Sequence, residues 1–182
     1  MTQLPRHLIL ELTSKCNYRC PFCYCVWHEF PELAQPNRST DRWKTILRHC
    51  ADSGVDDLLF TGGEVLLRPD LPELLTFARE LLPHGSLAVF TNGSRLSEEL
   101  LRYFRKLKIR ISTSLPGLST YGAMTGTRRS YRRTLAWIAR AAELHWPMSV
   151  SLTATAASRH EFVEMYAAAA LSGASAIQMG AM

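Results

Sequence analysis

Residues 57–91 read DLLFTGGEVLLRPDLPELLTFARELLPHGSLAVFT, and this stretch carries one complete strand–helix–strand unit. The short apolar runs Asp57–Phe60 and Leu87–Thr91 are typical of buried strands. Between them, Leu71–Leu82 has leucines at helical spacing, and Asp70–Glu73 supplies a cap, an early proline and a glutamate in capping-box spacing. A strand, a helix and a second strand in this order predict a right-handed βαβ unit with parallel strands.

The rest of the chain repeats this alternation. Further strands are predicted at His7–Leu12, Ile109–Ser114, Met148–Thr153 and Ala176–Met179, and further helices at Asp41–Ser53, Glu98–Leu107, Tyr131–His145 and Arg159–Leu171. The last helix follows a second capping-box pattern, Ser158-x-x-Glu161. The pattern predicts one α/β domain over residues 1–182, either a partial (β/α)6 TIM-like barrel or an open doubly wound parallel sheet.

No helix is predicted after the sixth strand. The sixth predicted strand is followed only by Gly180, Ala181 and Met182, without a helix to cover it. We therefore expect a domain truncated at its C-terminus, which either further sequence or a partner chain completes.

Composition restricts the class of protein. The 182 residues are 47% hydrophobic and 20% charged, which is ordinary for a globular protein and excludes a disordered or fibrous one. The apolar runs are too short to cross a bilayer, and no signal peptide follows Met1, so we expect a cytoplasmic protein without a membrane partner. Lys and Arg exceed Asp and Glu by 21 to 16, but no nucleic-acid-binding motif accompanies them, and no nucleic acid is expected as a partner.

Four of the five cysteines lie within ten residues. Such clustering favours metal ligands or a redox centre over the spread, evenly paired cysteines of a secreted protein. Cys16, Cys20 and Cys23, spaced C-x3-C-x2-C in a loop, favour an iron–sulfur cluster with one iron left open. Two alternatives remain: a zinc site completed by Cys25 or His28, and a C-x-x-C redox pair.

Small and polar residues follow each predicted strand. In chain order these are the cysteine loop, Thr61-Gly62-Gly63-Glu64, Thr91-Asn92-Gly93-Ser94, Ser112 with Ser114, Ser151 with Thr153, and Gln178. Because parallel strands end at one edge of their sheet, where active sites gather, all of these side chains are expected near one another. Each motif alone also has a structural explanation, since Gly62-Gly63 and Asn92-Gly93 are ordinary turn sequences and Glu64 could be solvated.

The cysteine spacing with Phe22, followed by Thr61–Glu64 and Thr91–Gly93, resembles the motif set of the radical S-adenosylmethionine (SAM) superfamily. The resemblance covers about residues 6–180 and is strongest to the peptide-maturing, SPASM-type branch. The sequence departs from that pattern at Val65, where many relatives have proline, and it lacks the cysteine-rich C-terminal region of the branch.

The resemblance implies two cofactors, a [4Fe-4S] cluster held by Cys16, Cys20 and Cys23, and S-adenosylmethionine on the open iron. The implied cofactor-binding residues are Phe22, Gly62, Gly63, Glu64, Asn92, Ser112 and Ser114. The glycines would admit the methionine part, Glu64 would offset its ammonium, Phe22 would face the adenine, and Ser112 or Ser114 would reach the ribose. Cys25 is expected to turn its thiol away from the cluster.

The implied reaction is reductive cleavage of S-adenosylmethionine to a 5′-deoxyadenosyl radical, which removes hydrogen from a peptide or small-molecule substrate. An external electron donor would supply the electron, and no residue is assigned to catalysis on the substrate itself. Two other classes remain open: a zinc-binding interaction module, and a catalytically inactive radical SAM-like domain that only binds a partner.

A group of arginines has an unusual position. Arg128, Arg129, Arg132 and Arg133 surround the start of a predicted helix, where the helix dipole disfavours cations. One hypothesis is that they bind an anionic part of a peptide substrate or partner protein, and the alternative is that they are simply solvated.

Overall fold

The structure is a computed structural model that describes residues 5–25, 27, 29–34 and 36–181, and a six-stranded parallel sheet forms its centre. The strands are β1 His7–Glu11, β2 Asp57–Thr61, β3 Ser86–Thr91, β4 Ile109–Leu115, β5 Ser149–Ala154 and β6 Ala176–Ala181. The helices are α1 Thr40–Asp52, α2 Leu71–Leu81, α3 Glu98–Lys106, α4 Tyr121–Thr125, α5 Tyr131–Glu143 and α6 Phe162–Leu171. The strands lie in chain order, each parallel to the next. This arrangement confirms the predicted α/β partial TIM-like barrel.

The two faces of the sheet differ because side chains alternate along each strand. On the helix-facing side, residues such as Leu58, Phe60 and Val89 are fully buried and form the core with α1, α2 and α3. A second core cluster, around Val150 and Leu152, packs against α5 and α6. Opposite faces of the strands carry small and polar side chains around the hollow of the half-barrel, and these line the cavities described below.

Two predicted helix starts were wrong in their details. The Asp70 side chain makes no capping bond, because it accepts hydrogen bonds from Thr40 Oγ1 (2.7 Å) and from Arg68 (2.6 Å) instead. Ser158 also makes no capping bond, and a 3-10 turn separates it from α6, which begins at Phe162. The carboxylate of Asp70 and that of Glu161, the acidic residue of the second pattern, both make contacts with residues remote in sequence, which a local pattern does not reveal.

The edges of the sheet are partly bare. β1 and β6 each pair with a single neighbour, and Ile9 on β1 and Met179 on β6 are 57% and 63% exposed. Ile177 of β6 is half-buried against the second core cluster. Across the described part of the chain, none of the helices has the length and apolar composition needed to cross a membrane.

Candidate functional site

The cysteine loop is an extension of the β1–β2 pairing. The backbone N–H of Leu12 donates to Thr61 O at 2.8 Å, that of Gly63 to Thr13 O at 2.7 Å, and that of Glu64 to Lys15 O at 2.8 Å. The segment just before Cys16 is therefore fixed against the segment after β2 by three successive hydrogen bonds.

Gly62 and Gly63 are required by this close approach. Gly62 has φ +137°, and a Cβ there would lie 2.3 Å from Thr13 O; a Cβ at Gly63 would lie 2.3 Å from Lys15 O. Both distances are far inside van der Waals contact, and the obstructing atoms belong to backbone. The glycines thus have a role within the protein itself, in seating the cysteine loop, besides any role toward a cofactor.

A cavity of about 230 Å³ opens between the cysteine loop and the C-terminal ends of β2 to β5. It is bordered by the predicted residues Cys16, Cys20, Phe22, Cys23, Gly62, Gly63, Asn92 and Ser114, together with Tyr18, Tyr24, Thr61, Phe90, Ser151 and Thr153. The structure therefore brings together all of the predicted cofactor-binding and metal-binding residues except Glu64 and Ser112. Gln178, which was expected at the same edge of the sheet, borders a second cavity instead. The tyrosines and Phe90 were not predicted, because an aromatic residue in a loop or strand is more often part of the core.

Glu64 lies beneath the cavity and is fully buried. Its Oε1 accepts from Thr91 Oγ1 (2.6 Å) and Leu66 N (2.9 Å), and its Oε2 accepts from Asn92 N (2.6 Å). Burial raises the pKa of Glu64, and these three hydrogen bonds act in the opposite direction. The carboxylate joins the end of β2 to the end of β3, so its contact with a ligand ammonium stays a prediction.

Ser112 and Ser114 share one face of β4 but border different cavities. Ser112 Oγ is buried without a hydrogen-bond partner among the described residues, and it faces a cavity of about 550 Å³ toward the N-terminal ends of the strands. Ser114 lies two residues further along and borders the cavity of the cysteines. Of the two serines, Ser114 is the one placed near the predicted cluster ligands.

The three predicted ligand thiols are half-exposed and have different surroundings. Cys16 Sγ accepts from Tyr18 N at 3.4 Å and from the Asn92 amide at 3.8 Å, and Asn92 also donates to Asn17 Oδ1 at 3.0 Å. Burial is the main cause that raises the pKa of Cys16, and it raises that of Cys20 to about 12. Burial thus favours the protonated form of Cys16 and Cys20, and a bound metal would have to displace both protons.

Cys25 differs from the other three cysteines of the loop. It is 2% exposed, its Sγ lies 4.0 Å from the Gly62 carbonyl, and it does not border the cavity. A hydrogen bond with Cys25 lowers the pKa of the Cys23 thiol. Cys25 is therefore a buried neighbour of one predicted ligand, and its exclusion from the cluster stays a prediction.

The donor set fits a cluster with several metal ions. Among the described residues, no three Cys, His, Asp or Glu side chains converge on a point that could hold one metal ion. Cys16, Cys20 and Cys23 border a common cavity, and cysteine thiolates are the donors that iron–sulfur clusters take. His28, which the zinc alternative invoked, lies outside the described residues.

The connection after β4 supports the cysteine loop from the other side, and sequence reasoning missed this. Arg19 N donates to Thr125 O of α4 at 3.0 Å. The approach to α4 is held in turn by Glu161, which accepts from Leu118 N and Ser119 N at 2.8 Å each and from Thr120 Oγ1 at 2.6 Å. Burial alone would raise the pKa of Glu161, but these hydrogen bonds outweigh it and lower the pKa to about 2.

Comparison with curated proteins gives relatives that match along most of this chain. The sporulation killing factor maturation protein SkfB of Bacillus subtilis is 27% identical over 180 residues, which are 97% of this chain and 42% of SkfB. The AdoMet-dependent heme synthase of Methanosarcina barkeri is 28% identical over 169 residues, 91% of this chain and 47% of the synthase. The chain thus spans less than half the length of these relatives.

Solved structures share the fold. Streptococcus suis SuiB bound to its precursor peptide SuiA superposes with a TM-score of 0.84 at 19% identity, covering 98% of this chain and 40% of SuiB. SuiB bound to S-adenosylmethionine gives a TM-score of 0.83 at 20% identity, covering 98% of this chain and 41% of SuiB. The family model of the radical SAM superfamily matches residues 10–169. With the cysteine loop, the glycine pair and Asn92 at one cavity, this match establishes that the chain belongs to the radical SAM superfamily.

Proposed function

We propose that this chain binds a [4Fe-4S] cluster through Cys16, Cys20 and Cys23, and S-adenosylmethionine in the adjoining cavity. The observation that supports this most strongly is that all three thiols border one cavity with Gly62 and Gly63. When bound, the two cofactors together supply a 5′-deoxyadenosyl radical, which removes hydrogen from the substrate.

The residues of the cavity would bind and enclose these groups. Asn92 orients the Cys16 sulfur through its amide, and the backbone of Gly62 and Gly63 borders the space that the methionine part would occupy. Phe22 and Phe90 are apolar walls that limit the access of water to the site. Ser114 offers its hydroxyl to the ribose, in preference to Ser112, which borders the other cavity.

We propose a peptide as the substrate, with an external electron donor. One relative is named as the maturation protein of a killing factor, and another was solved with its precursor peptide. The heme synthase among the relatives makes a small molecule the competing substrate class. Cleavage of S-adenosylmethionine is common to both, so it can be tested before the substrate is known.

The test is anaerobic reconstitution with iron and sulfide, followed by reduction with dithionite and assay for 5′-deoxyadenosine. We expect brown protein that releases 5′-deoxyadenosine. Single Ala variants of Cys16, Cys20 and Cys23 should lose bound iron, whereas Cys50→Ala, which changes a buried cysteine of α1, should keep it. Loss of iron in Cys25→Ala with retention in Cys16→Ala would contradict the ligand assignment. Colourless protein with stoichiometric zinc would contradict the proposed function.

We further propose that residues 1–182 act as the core domain of a larger assembly, in which other protein covers the gap between β1 and β6. The exposed Ile9 and Met179 support this, because strand edges with unpaired backbone groups and apolar side chains invite association. The covering protein is either further sequence or a partner chain, and size exclusion of the isolated chain, described below, tests the proposal.

A further inference from the structure

One side of the cavity entrance belongs to a stretch without acidic residues. No Asp or Glu occurs between Glu99 and Glu143, a range that covers β4, α4 and nearly all of α5. Four arginines, here called the arginine surface, lie at the junction of α4 and α5: Arg128, Arg129, Arg132 and Arg133. All four are exposed, and none forms an ion pair within the described residues.

Three other arginines of the same acid-free stretch lie beside carboxylates outside it, whereas Arg105 and its neighbour Lys106 form no ion pair within the described residues. Arg102 and Arg140 both pair with Glu98, and Arg110 lies 3.6 Å from Asp57. The arginine surface therefore concentrates positive charge that no neighbouring carboxylate offsets. Four cations so close in sequence repel one another, and those at the start of α5 also oppose the helix dipole. A bound anion would relieve both effects.

The arginine surface lies beside the cavity. It follows α4 directly, and Thr125 at the end of α4 accepts the hydrogen bond from Arg19 N, between Cys16 and Cys20 of the cysteine loop. Gly126, two residues before Arg128, lies against the same loop, because a Cβ there would be 2.8 Å from Arg19 O. An anion bound here would therefore be part of a molecule that also reaches the cavity entrance.

We propose that the arginine surface binds an acidic segment of the peptide substrate and so holds the peptide beside the cavity. This inference rests on the proposed function. A peptide fits better than a nucleic acid, because surfaces that bind single strands combine cations with exposed aromatic rings for base stacking. The one aromatic residue among residues 128–133 is Tyr131, and it packs against the second core cluster.

The experiment measures binding without turnover. A fluorescently labelled peptide of alternating glycine and glutamate is titrated with the full chain, with fluorescence anisotropy as the readout. Arg128→Gln/Arg129→Gln should weaken binding about 2- to 30-fold, since each surface ion pair contributes about 0.2–1 kcal/mol. Added salt should weaken the wild-type complex in the same direction.

The matched control is Arg105→Gln/Lys106→Gln, which removes two exposed charges at the end of α3, beside the opposite ends of the strands. It should bind within about twofold of wild type, because distant exposed charges are screened. Thermal melting checks that each variant is folded, and Arg132→Gln/Arg133→Gln provides a second test of the surface.

Three results would overturn the inference: no binding of the acidic peptide, equal weakening by the control, or tighter binding of single-stranded DNA than of the peptide. The proposed function fails by a different measurement, the absence of 5′-deoxyadenosine from the reconstituted wild-type protein. Peptide binding by the metal-free chain does not depend on that result.

Discussion

Glu161 provides the sharpest test of how the site is supported. Its carboxylate accepts hydrogen bonds from the backbone N–H groups of Leu118, Ser119 and Thr120. The variant Glu161→Gln keeps the shape of the side chain, removes the charge and turns an NH2 group toward one or more of these donors. Hydroxyl groups can rotate to other acceptors, but the backbone donors cannot.

Two independent arguments estimate how far Glu161→Gln lowers the free energy of unfolding. Hydrogen bonds to charged groups each contribute about 1.5–3 kcal/mol, and an amide replaces them only in part, so the loss should be roughly 2–4 kcal/mol. Independently, a pKa of about 2, against the ordinary 4.5, corresponds to about 3 kcal/mol of native-state stability at neutral pH.

The sign of the pH dependence follows from the lowered pKa. The unfolded chain binds a proton at Glu161 more readily than the folded one, so the contribution is complete above about pH 5 and is lost as the pH falls from 4.5 toward 2. At pH 3 about 2 kcal/mol of it should be gone in the wild type. Glu161→Gln lacks this pH-dependent contribution. The difference in the free energy of unfolding between wild type and variant should therefore be smaller at pH 3 than at pH 7.

The assay is urea unfolding followed by tryptophan fluorescence at pH 7 and pH 3. Glu164→Gln is the matched control, because Glu164 is exposed in the first turn of α6 and has no hydrogen bond or ion pair within the described part of the chain. This control should lower the free energy of unfolding by less than about 1 kcal/mol. A loss of unfolding free energy below about 0.5 kcal/mol for Glu161→Gln at pH 7 would refute the reasoning. A loss at pH 3 as large as the loss at pH 7 would also refute it.

Three further predictions concern the cysteine loop, the cavity and the sheet edges. Gly63→Ala places a Cβ against Lys15 O, so iron content after reconstitution should fall to a minor fraction of wild type; Gly180→Ala, with open space around it, should keep its iron. Glu64→Gln should lower the free energy of unfolding by about 1–3 kcal/mol and weaken S-adenosylmethionine binding by a similar amount, while the cluster is kept. Unchanged affinity for S-adenosylmethionine in a titration would show that Glu64 does not bind the cofactor. The isolated chain should elute from size exclusion as an oligomer and cleave S-adenosylmethionine slowly, whereas a sharp monomer with a cooperative melt and full substrate turnover would show that the half-barrel needs no further protein.

The order of strands and helices could be predicted because buried residues recur at the period of the strand or helix in most elements. Leu58 and Phe60 alternate with less buried neighbours, and α1 repeats its buried residues at Trp43, Leu47 and Cys50. Helix α4 shows no such periodic spacing of buried residues, because its five residues make little more than one turn and include Gly122. Its position depends on tertiary contacts instead.

The site could be predicted as far as parallel topology determines it. Strand ends meet at one edge of the sheet, which is why Cys16, Gly62 and Asn92 border one cavity. Depth along a strand was not predictable: Ser112 and Ser114 share a face, but two residues correspond to about 7 Å along the strand, enough to place them in different cavities.

Glu161 shows a limit of another kind. The pattern Ser158-x-x-Glu161 matches a capping box, and only the folded chain brings the carboxylate to Ser119 and Thr120, which are remote in sequence. A local pattern and a long-range contact compete for the same side chain here, and the contact with more donors is the one that forms.

The strand pairing also determines when the cysteine loop takes its final position during folding. His7 pairs with Asp57, whereas Asp57 pairs with Ser86, so the connection that contains the cysteines is nearly twice as long as the next one. Closing it costs about 0.6 kcal/mol more per doubling of length, and the hydrogen bonds that fix Leu12–Lys15 to Thr61–Glu64 extend the pairing of β1 with β2, so they form only once β1 has paired. We expect β2 to β5 to pair first and β1 to join them late. Assembly of the cluster and attachment of the first strand would then be coupled steps of a single maturation process, and iron supply would influence the yield of folded protein.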